Sequence, residues 1–210
     1  GRTCSEETKQ IISTYTKIIY QFLDKKSTKN LDDYFWMIIC KNIDVEIIHY
    51  EKKNQGIRDR QMAINVGQIK KNLYPNEKLI LWGASSHLKF NSQLVELEYH
   101  KNTILTGDYL KKEYKEKYYF LGFTSYEGTW GKGLLSFRVK TPKKADSFEY
   151  NLRKFTDKNA FITLDEANQK LKEAYFTANI LGNMSFKMKI FEVADGIIYL
   201  RKMTKVHRIK

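Results

Sequence analysis

Three polar residues, Arg58, Asp59 and His87, have the types and spacing in this sequence that best suit catalysis. Arg58 and Asp59 stand at the start of an apolar series with helical spacing, and His87 follows a continuous apolar run. A guanidinium group is always charged, and its planar fork suits a carboxylate or another oxyanion. Arg58 is therefore suited to pairing with a carboxylate or another oxyanion. A histidine just beyond the end of a buried strand is well placed for chemistry.

The first element needed to position them is a helix that begins near Ile57. Its apolar residues recur at the spacing of one helix face: Met62, Val66, Ile69 and Leu73. Extending this face back by one turn reaches Arg58, so the pattern predicts a guanidinium at the head of a buried face, where it needs a partner. Asp59 lies in the first turn, where the helix dipole favours a carboxylate, and Asn65 returns to the side of Arg58.

The second element is the apolar run from Lys78 to Trp82, which has the length of a strand and predicts one that is covered on both faces. In open α/β sheets, ligands bind outside the carboxyl ends of the strands. His87, five residues beyond Trp82, is therefore a predicted catalytic residue, with Ser86 as a predicted substrate contact. The alternative is a loop histidine with a structural hydrogen bond.

A third element is a predicted hairpin, with strands at Tyr118–Ser125 and Leu134–Lys140. The turn between them is rich in glycine but lacks the Gly-Lys-Ser/Thr ending of a phosphate loop and leads into a strand instead of a helix. Glu127 and Trp130 at its tip are predicted to form a wall of a substrate pocket. An ordinary exposed hairpin is the alternative.

Two amphipathic helices are predicted before these elements, and their apolar stripes are predicted to be core. The first stripe consists of Ile11, Tyr15, Ile18 and Phe22. The second contains Trp36, Ile39, Cys40, Ile43, Ile47 and Tyr50. The pattern as a whole predicts a single α/β domain over residues 1–210, with a helical N-terminal layer packed on a mixed, largely parallel sheet that carries an antiparallel hairpin.

Composition narrows the class of protein. Hydrophobic residues make up 42% of the 210 residues, enough for a real core. The formal net charge of +13 comes mostly from lysines scattered among acidic residues, which predicts a solvated surface and no specific nucleic-acid site. Cys4 and Cys40 have no paired spacing, so they predict neither a disulfide framework nor a zinc site and are compatible with a reducing compartment such as the cytoplasm. No apolar run approaches the roughly 20 residues of a membrane span.

Four stretches, in this order, resemble the erythromycin esterase family and cover most of the chain from residue 56 to 204. They are Arg58-Asp59-x-x-Met62-Ala63-x-Asn65, Trp82-x-x-x-x-His87, Tyr118–Thr124 with Glu127-Gly128-Thr129, and Asp195–Met203. The resemblance implies hydrolysis of a carboxylic ester of macrolactone type, without a metal or another cofactor, and hence macrolide inactivation. It implies that His87 acts on the ester and that Arg58 orients an acidic catalytic residue or stabilises the oxyanion, held by Asp59 and Asn65.

The sequence departs from the family pattern at two places. Ala84 occupies the position of the first histidine of a pair, of which His87 is the second. The Gly-Glu-x-x-His-Gly type motif, which carries the family's general base, does not occur in the sequence. We therefore expect the C-terminal portion of an erythromycin-esterase-like hydrolase, inactive alone, whose partner is a missing N-terminal half of the same protein. The alternatives are a degenerate ligand-binding or interaction module of the same fold and a basic protein that binds polyanions.

Overall fold

The computed structural model describes most of the chain: residues 4–52, 54–131, 136–139, 141, 143–182 and 184–205. These residues belong to two compact units, Gly1–Leu81 and Trp82–Lys210. The predicted single domain stays a prediction. No helix in the described part of the chain is long and apolar enough to cross a membrane.

The first unit contains the three predicted helices. They are α1 (Glu6–Asp24), α2 (Leu31–Lys52) and α3 (Gln55–Gln68), and α3 continues into a π-helical turn, Ile69–Leu73. The Ser5 hydroxyl accepts a 3.2 Å hydrogen bond from the backbone N–H of Thr8 and caps α1. Asn54 caps α3 in the same way, through a 2.9 Å hydrogen bond from the backbone N–H of Gly56.

The predicted core stripe of α1 is wrong. Leu23 and Thr16 are the buried residues of this helix, and the Thr16 hydroxyl donates a 2.6 Å hydrogen bond to the Asp44 carboxylate in α2. The side chains predicted to be core are exposed: Ile11, Tyr15, Ile18 and Phe22. Cys40 is buried in α2 as predicted, whereas Trp36 and Tyr50 are exposed. An amphipathic stripe identifies a face that can be buried, but a partner surface must be present to bury it.

The apolar run Lys78–Trp82 is not a covered strand. It is extended, and no described strand pairs with it. Ile80 is 93% exposed and Trp82 is 87% exposed. The prediction of a strand buried on both faces is therefore wrong, because no strand or layer among the described residues covers the run.

The second unit contains short helices and two sheets. Its helices are α4 (Ser85–Leu88), α5 (Glu98–Lys101), α6 (Thr106–Tyr114), α7 (Phe148–Phe155), α8 (Gln169–Glu173) and α9 (Ile190–Val193). Its strands are β1 (Leu121–Trp130), β2 (Phe137–Arg138), β3 (Ala160–Thr163), β4 (Phe176–Ala178), β5 (Phe186–Met188) and β6 (Gly196–Met203). Single 3₁₀ turns cover Ser92–Leu94 and Lys115–Lys117.

The main sheet has the strand order β2-β1-β6-β3. β1 and β6 are parallel, β3 is antiparallel to β6, and β2 is antiparallel to the last residues of β1. β4 and β5 form a separate antiparallel pair. The α/β class, the mixed sheet and the antiparallel hairpin are confirmed. Parallel pairing, however, is limited to β1 and β6 among the described strands, so the sheet is less parallel than predicted.

The two faces of the main sheet differ in burial. Thr124, Ile197 and Tyr199 point to one face and are fully buried. The apolar core lies on this side and includes Val95, Phe148, Leu164, Ile180, Met188 and Ile190. Phe123 and Phe161 point to the other face and are exposed. The second unit therefore has one core, which covers one side of its sheet.

Candidate functional site

His87 lies in the last turn of the short helix α4 and is half-buried. Its backbone N–H donates a 2.9 Å hydrogen bond to the carbonyl of Ala84, which stands at the N-cap. One residue further, the carbonyl of Leu88 accepts a hydrogen bond from the hydroxyl of Tyr118. Burial raises the pKa of the Tyr118 phenol, so this hydroxyl keeps its proton and remains a donor. The hydrogen bond from Tyr118 thus fixes the backbone next to Ser86 and His87.

Helix α6 packs closely against the backbone of Leu88 and Lys89 and also holds it in place. A Cβ atom on Gly107 would lie 2.1 Å from the carbonyl oxygen of Lys89 and 2.2 Å from that of Leu88. Only a residue without a side chain fits between α6 and these carbonyl groups. Asp108 in the first turn of α6 accepts the backbone N–H of Ser92 at 3.0 Å and that of Leu105 at 2.9 Å. The short α4 helix therefore rests on a rigid support.

The carboxyl ends of β1 and β6 carry an ion pair. Glu127 lies 2.8 Å from the guanidinium of Arg201, and Arg201 also stands over the ring of Tyr126 at 5.0 Å. Ligands bind at this edge of parallel strands in α/β folds. Glu127 was predicted as a substrate contact, but the pairing with Arg201 was not, because the two residues are far apart in sequence.

Trp130 is the last residue of β1, three residues beyond Glu127. Its ring stacks on that of Phe137, with 4.8 Å between the ring centroids. The half-buried Trp130 thus forms part of an aromatic pair across β1 and β2. The predicted turn extended to Gly133 and the predicted second strand began at Leu134, and residues 132–135 lie outside the described residues. Glu127 and Trp130 were predicted at the tip of this turn, and they lie within β1 instead.

Asp195, in the last of the four motifs, joins three elements. Its carboxylate accepts the Lys111 ammonium from α6 at 2.9 Å and the backbone N–H of Phe120 at 2.8 Å. A Cβ atom on the next residue, Gly196, would lie 2.5 Å from the hydroxyl oxygen of Tyr119. The Asp195-Gly196 pair thus fixes the starts of β1 and β6 to α6.

A buried acidic residue, Glu149, was not found from the sequence. One oxygen of its carboxyl group accepts the hydroxyl of Thr124 and the backbone N–H of Asn179, the latter at 2.8 Å. The other oxygen has no hydrogen-bond partner among the described residues. Burial raises the pKa of Glu149, although both hydrogen bonds oppose this effect. Nothing in the local pattern marks this burial, since a glutamate in the first turn of a helix is ordinarily solvated.

The remaining predicted residues lie in α3, in the first unit. Arg58 is exposed and Asp59 is fully buried, the reverse of the predicted arrangement. The buried line of α3 runs through Asp59 and Ala63, one residue out of phase with the predicted stripe. Asn65 donates a 2.6 Å hydrogen bond to Asn42 of α2 and accepts one of 2.8 Å from Gln61. Its amide therefore joins α3 to α2.

A cavity of about 540 Å³ lies beside α6 in the second unit. Phe90, Ser92, His100, Asp108 and Lys112 are among its lining residues. The residues predicted for the site are not part of this lining. Within the described part of the chain, no group of three histidine, cysteine or acidic side chains could hold a metal ion.

Comparisons with known proteins agree with this arrangement of motifs. The model of the erythromycin esterase family, described as "Erythromycin esterase", matches residues 1–203. The Bacillus subtilis (strain 168) protein named "Putative hydrolase YbfO" is 29% identical over 156 residues, which are 70% of this chain and 35% of that protein. Because the family model covers nearly the whole chain, the chain belongs to the erythromycin esterase family.

Two solved structures share the fold. A Bacillus cereus protein matches 98% of this chain and 55% of its own chain, with a TM-score of 0.74 and 18% identity. A protein described as a succinoglycan biosynthesis protein matches 96% of this chain and 52% of its own, with a TM-score of 0.73 and 15% identity. The chain thus spans about a third of the curated relative and about half of each solved relative.

Proposed function

We propose that this chain is part of a hydrolase that cleaves a carboxylic ester of macrolactone type without a metal ion. Membership of the erythromycin esterase family supports a hydrolase-like function. The observation that carries the proposal is the position of His87, half-buried on a short helix whose backbone is held by Tyr118 and Gly107. A fixed imidazole can act on a bound ester because catalysis requires groups that are already oriented.

In this proposal His87 polarises the ester carbonyl or assists the leaving oxygen. Ser86 on the same helix, and Glu127 and Trp130 on β1, contact the substrate. The exposed guanidinium of Arg58 supplies a positive charge, because an oxyanion that forms during hydrolysis is stabilised by a fixed cation. Asp59 and Asn65, which lie at a buried and a half-buried position of the same helix, hold Arg58 in place.

The general base that activates water is supplied by the part of the longer family members that this chain does not match. A base must lie within hydrogen-bond reach of the water that it deprotonates. The first test is the gene sequence upstream of the Gly1 codon. An in-frame Gly-Glu-x-x-His-Gly type motif there supports the proposal, whereas a stop codon or an unrelated domain contradicts it.

The decisive experiment is hydrolysis of a macrolide lactone by the chain rejoined to that upstream sequence, followed by mass spectrometry as the gain of one water molecule. We expect turnover by the rejoined protein and none by the chain alone. His87→Ala should lower turnover by about 10²- to 10⁴-fold, the range for loss of a positioned acid–base group. His49→Ala, at the end of α2, is the matched control and should keep the turnover. An unaltered rate in His87→Ala would remove His87 from the site.

The role of Arg58 needs a separate variant. Arg58→Lys keeps the charge but loses the planar fork, so we expect a lower rate if the fork binds an oxyanion. An effect on thermal stability alone, with an unchanged rate per folded molecule, would show that Arg58 is structural.

A second function, a binding module without chemistry, is favoured by one observation. Ala84 stands at the position of a family histidine and is exposed at the start of α4. If the rejoined protein binds a macrolide but does not hydrolyse it, this second function replaces the first.

A further inference from the structure

One face of the main sheet of the second unit is apolar and partly uncovered: Ser125 on this face is fully buried, whereas Phe123 and Phe161 are exposed. Phe123 of β1, Ile198 of β6 and Phe161 of β3 stand side by side in register across three strands. Phe161 is 59% exposed and Phe123 is 38% exposed. The ring of Trp82 packs edge-on against Phe123, with 5.7 Å between the ring centroids. We call Phe123, Ile198, Phe161 and Trp82 the open sheet face.

This face differs from an ordinary solvated face of a sheet. Along a strand, the side chains alternate between the two faces of the sheet. A face in contact with water carries polar residues, whereas a sheet that is covered on both sides is apolar on both faces. Here Phe123, Ile198 and Phe161 are all apolar. On the opposite face of the sheet, Gly122 lies beside Ile197, and Ile197 belongs to the core. Each large aromatic side chain buries about 150–250 Å² when it is covered. A contiguous exposed patch of large apolar side chains is typical of an interaction surface.

The neighbouring strand edge is also free. β2 pairs only with Thr129 and Trp130 of β1, so no described strand lies beside β1 between Leu121 and Ser125 on the side opposite β6. An uncovered edge presents backbone N–H and C=O groups that can pair with an added strand. The same part of the molecule therefore offers an apolar face and a hydrogen-bonding edge.

We propose that the open sheet face and the free edge of β1 are the docking surface for the rest of the erythromycin esterase domain. The occupant is a polypeptide equivalent to the part of the longer relatives that this chain does not match. The fold covers 98% of this chain but only 55% of the solved Bacillus cereus protein. The same sheet thus occurs in a protein nearly twice as long, which has additional chain available to cover it. The occupant brings an apolar surface onto Phe123 and Phe161 and a strand onto β1.

Site-specific photocross-linking in the organism that encodes the chain tests this proposal. A benzophenone amino acid replaces Phe161, and a second variant carries it at Trp82, as an independent probe of the same surface. Phe155 is the matched control, because it is 86% exposed at the end of α7, the helix packed against the buried side of β1. Thermal unfolding of each variant verifies that the fold is kept.

We expect both probes to cross-link to a peptide that aligns with the unmatched part of the longer family members, and the control to give no such product. Phe161→Lys should reduce cross-linking from the Trp82 probe by roughly tenfold or more, since the loss of an aromatic anchor weakens an interface strongly. Phe155→Lys should leave it unchanged. Cross-links to a second copy of residues 1–210, to other positions within residues 1–210 or to an unrelated protein would overturn the proposal. A cross-linking yield no higher than that of the Phe155 control would overturn it as well. Cross-linking requires no turnover, so its outcome is independent of the hydrolase proposal.

Discussion

Two adjacent residues of α3, Arg58 and Asp59, exchange the positions that the sequence predicts for them. Their side chains differ by about 100° around the helix, so a shift of one residue in the phase of the buried face reverses their exposure. The observed buried line passes through Ala63, a small residue that allows close approach of another helix, whereas the prediction followed the larger Met62. The buried face of α3 therefore carries the acidic side chain of Asp59, and the guanidinium of Arg58 remains accessible.

Glu149 supports a prediction at the residue scale. Burial raises its pKa above the ordinary value of 4.5, so the folded protein binds this proton more tightly than the unfolded chain. The stability from the bound proton is complete below the unfolded pKa and is lost as the pH rises through the folded pKa. Glu149→Gln keeps an acceptor for Thr124 and Asn179 but cannot ionise. We therefore expect this variant to become increasingly stable relative to the wild type above about pH 4.5.

The measurement is the urea midpoint of both proteins over a series of pH values. At high pH, the free energies of unfolding of the two proteins should differ by about 1.4 kcal/mol for each tenfold difference in proton affinity between the folded and unfolded states. Glu166→Gln, at an exposed position, is the control and should follow the wild type throughout. Identical pH dependence in the wild type and Glu149→Gln would show that Glu149 ionises in the folded protein as it does in water.

At the scale of elements, the short helix α4 depends on its neighbour α6. Gly107→Ala places a Cβ atom about 2 Å from two backbone carbonyl oxygens, which cannot move aside as a flexible side chain can. We expect a loss of about 1–3 kcal/mol in the free energy of unfolding, the usual range for overpacking. Chemical denaturation measures this loss, and in the rejoined protein a displaced α4 should also lower turnover through His87.

Gly83→Ala is the matched control for this change. Gly83 is exposed, and a Cβ atom there would lie 3.3 Å from a side-chain methyl group of Leu88, which can adjust. Its free energy of unfolding should stay within about 0.5 kcal/mol of the wild type. Equal effects from both substitutions would show that glycine is not required for the packing of α6 on α4.

The helices were easier to predict than the strands for a physical reason. Ser5 and Asn54 cap their helices through hydrogen bonds within three residues, so this information is local. The run Lys78–Trp82 has the composition of a covered strand, but a strand also requires a partner from elsewhere in the chain. The exposure of this run, and that of Phe22 in α1, shows that apolar composition alone does not decide which residues are buried.

At the scale of the whole molecule, the formal net charge of +13 leads to a prediction about polyanions. Scattered lysines attract phosphate groups without reading bases, so binding to duplex DNA should be weak and independent of sequence. Its affinity should fall steeply with salt, by about 10³-fold or more between roughly 50 and 200 mM if six or more phosphates are contacted. Fluorescence anisotropy with two duplexes of equal length and different sequence measures both properties. A preference for one duplex would contradict the prediction.

The amino-acid sequence by itself determined the family, the α/β class, the three N-terminal helices and the hairpin. These depend on motifs, caps and periodicities that are written in short segments. Only the tertiary structure decided that Asp59 is buried in place of Arg58, that Glu149 lies in the core, and that Asp195 joins β1, β6 and α6. It also decided that Phe123 and Phe161 are exposed. The reason is that burial and ion pairing each require two surfaces in contact, and the second surface comes from residues that are distant in sequence. For the open sheet face, we propose that the second surface is the remaining part of the domain.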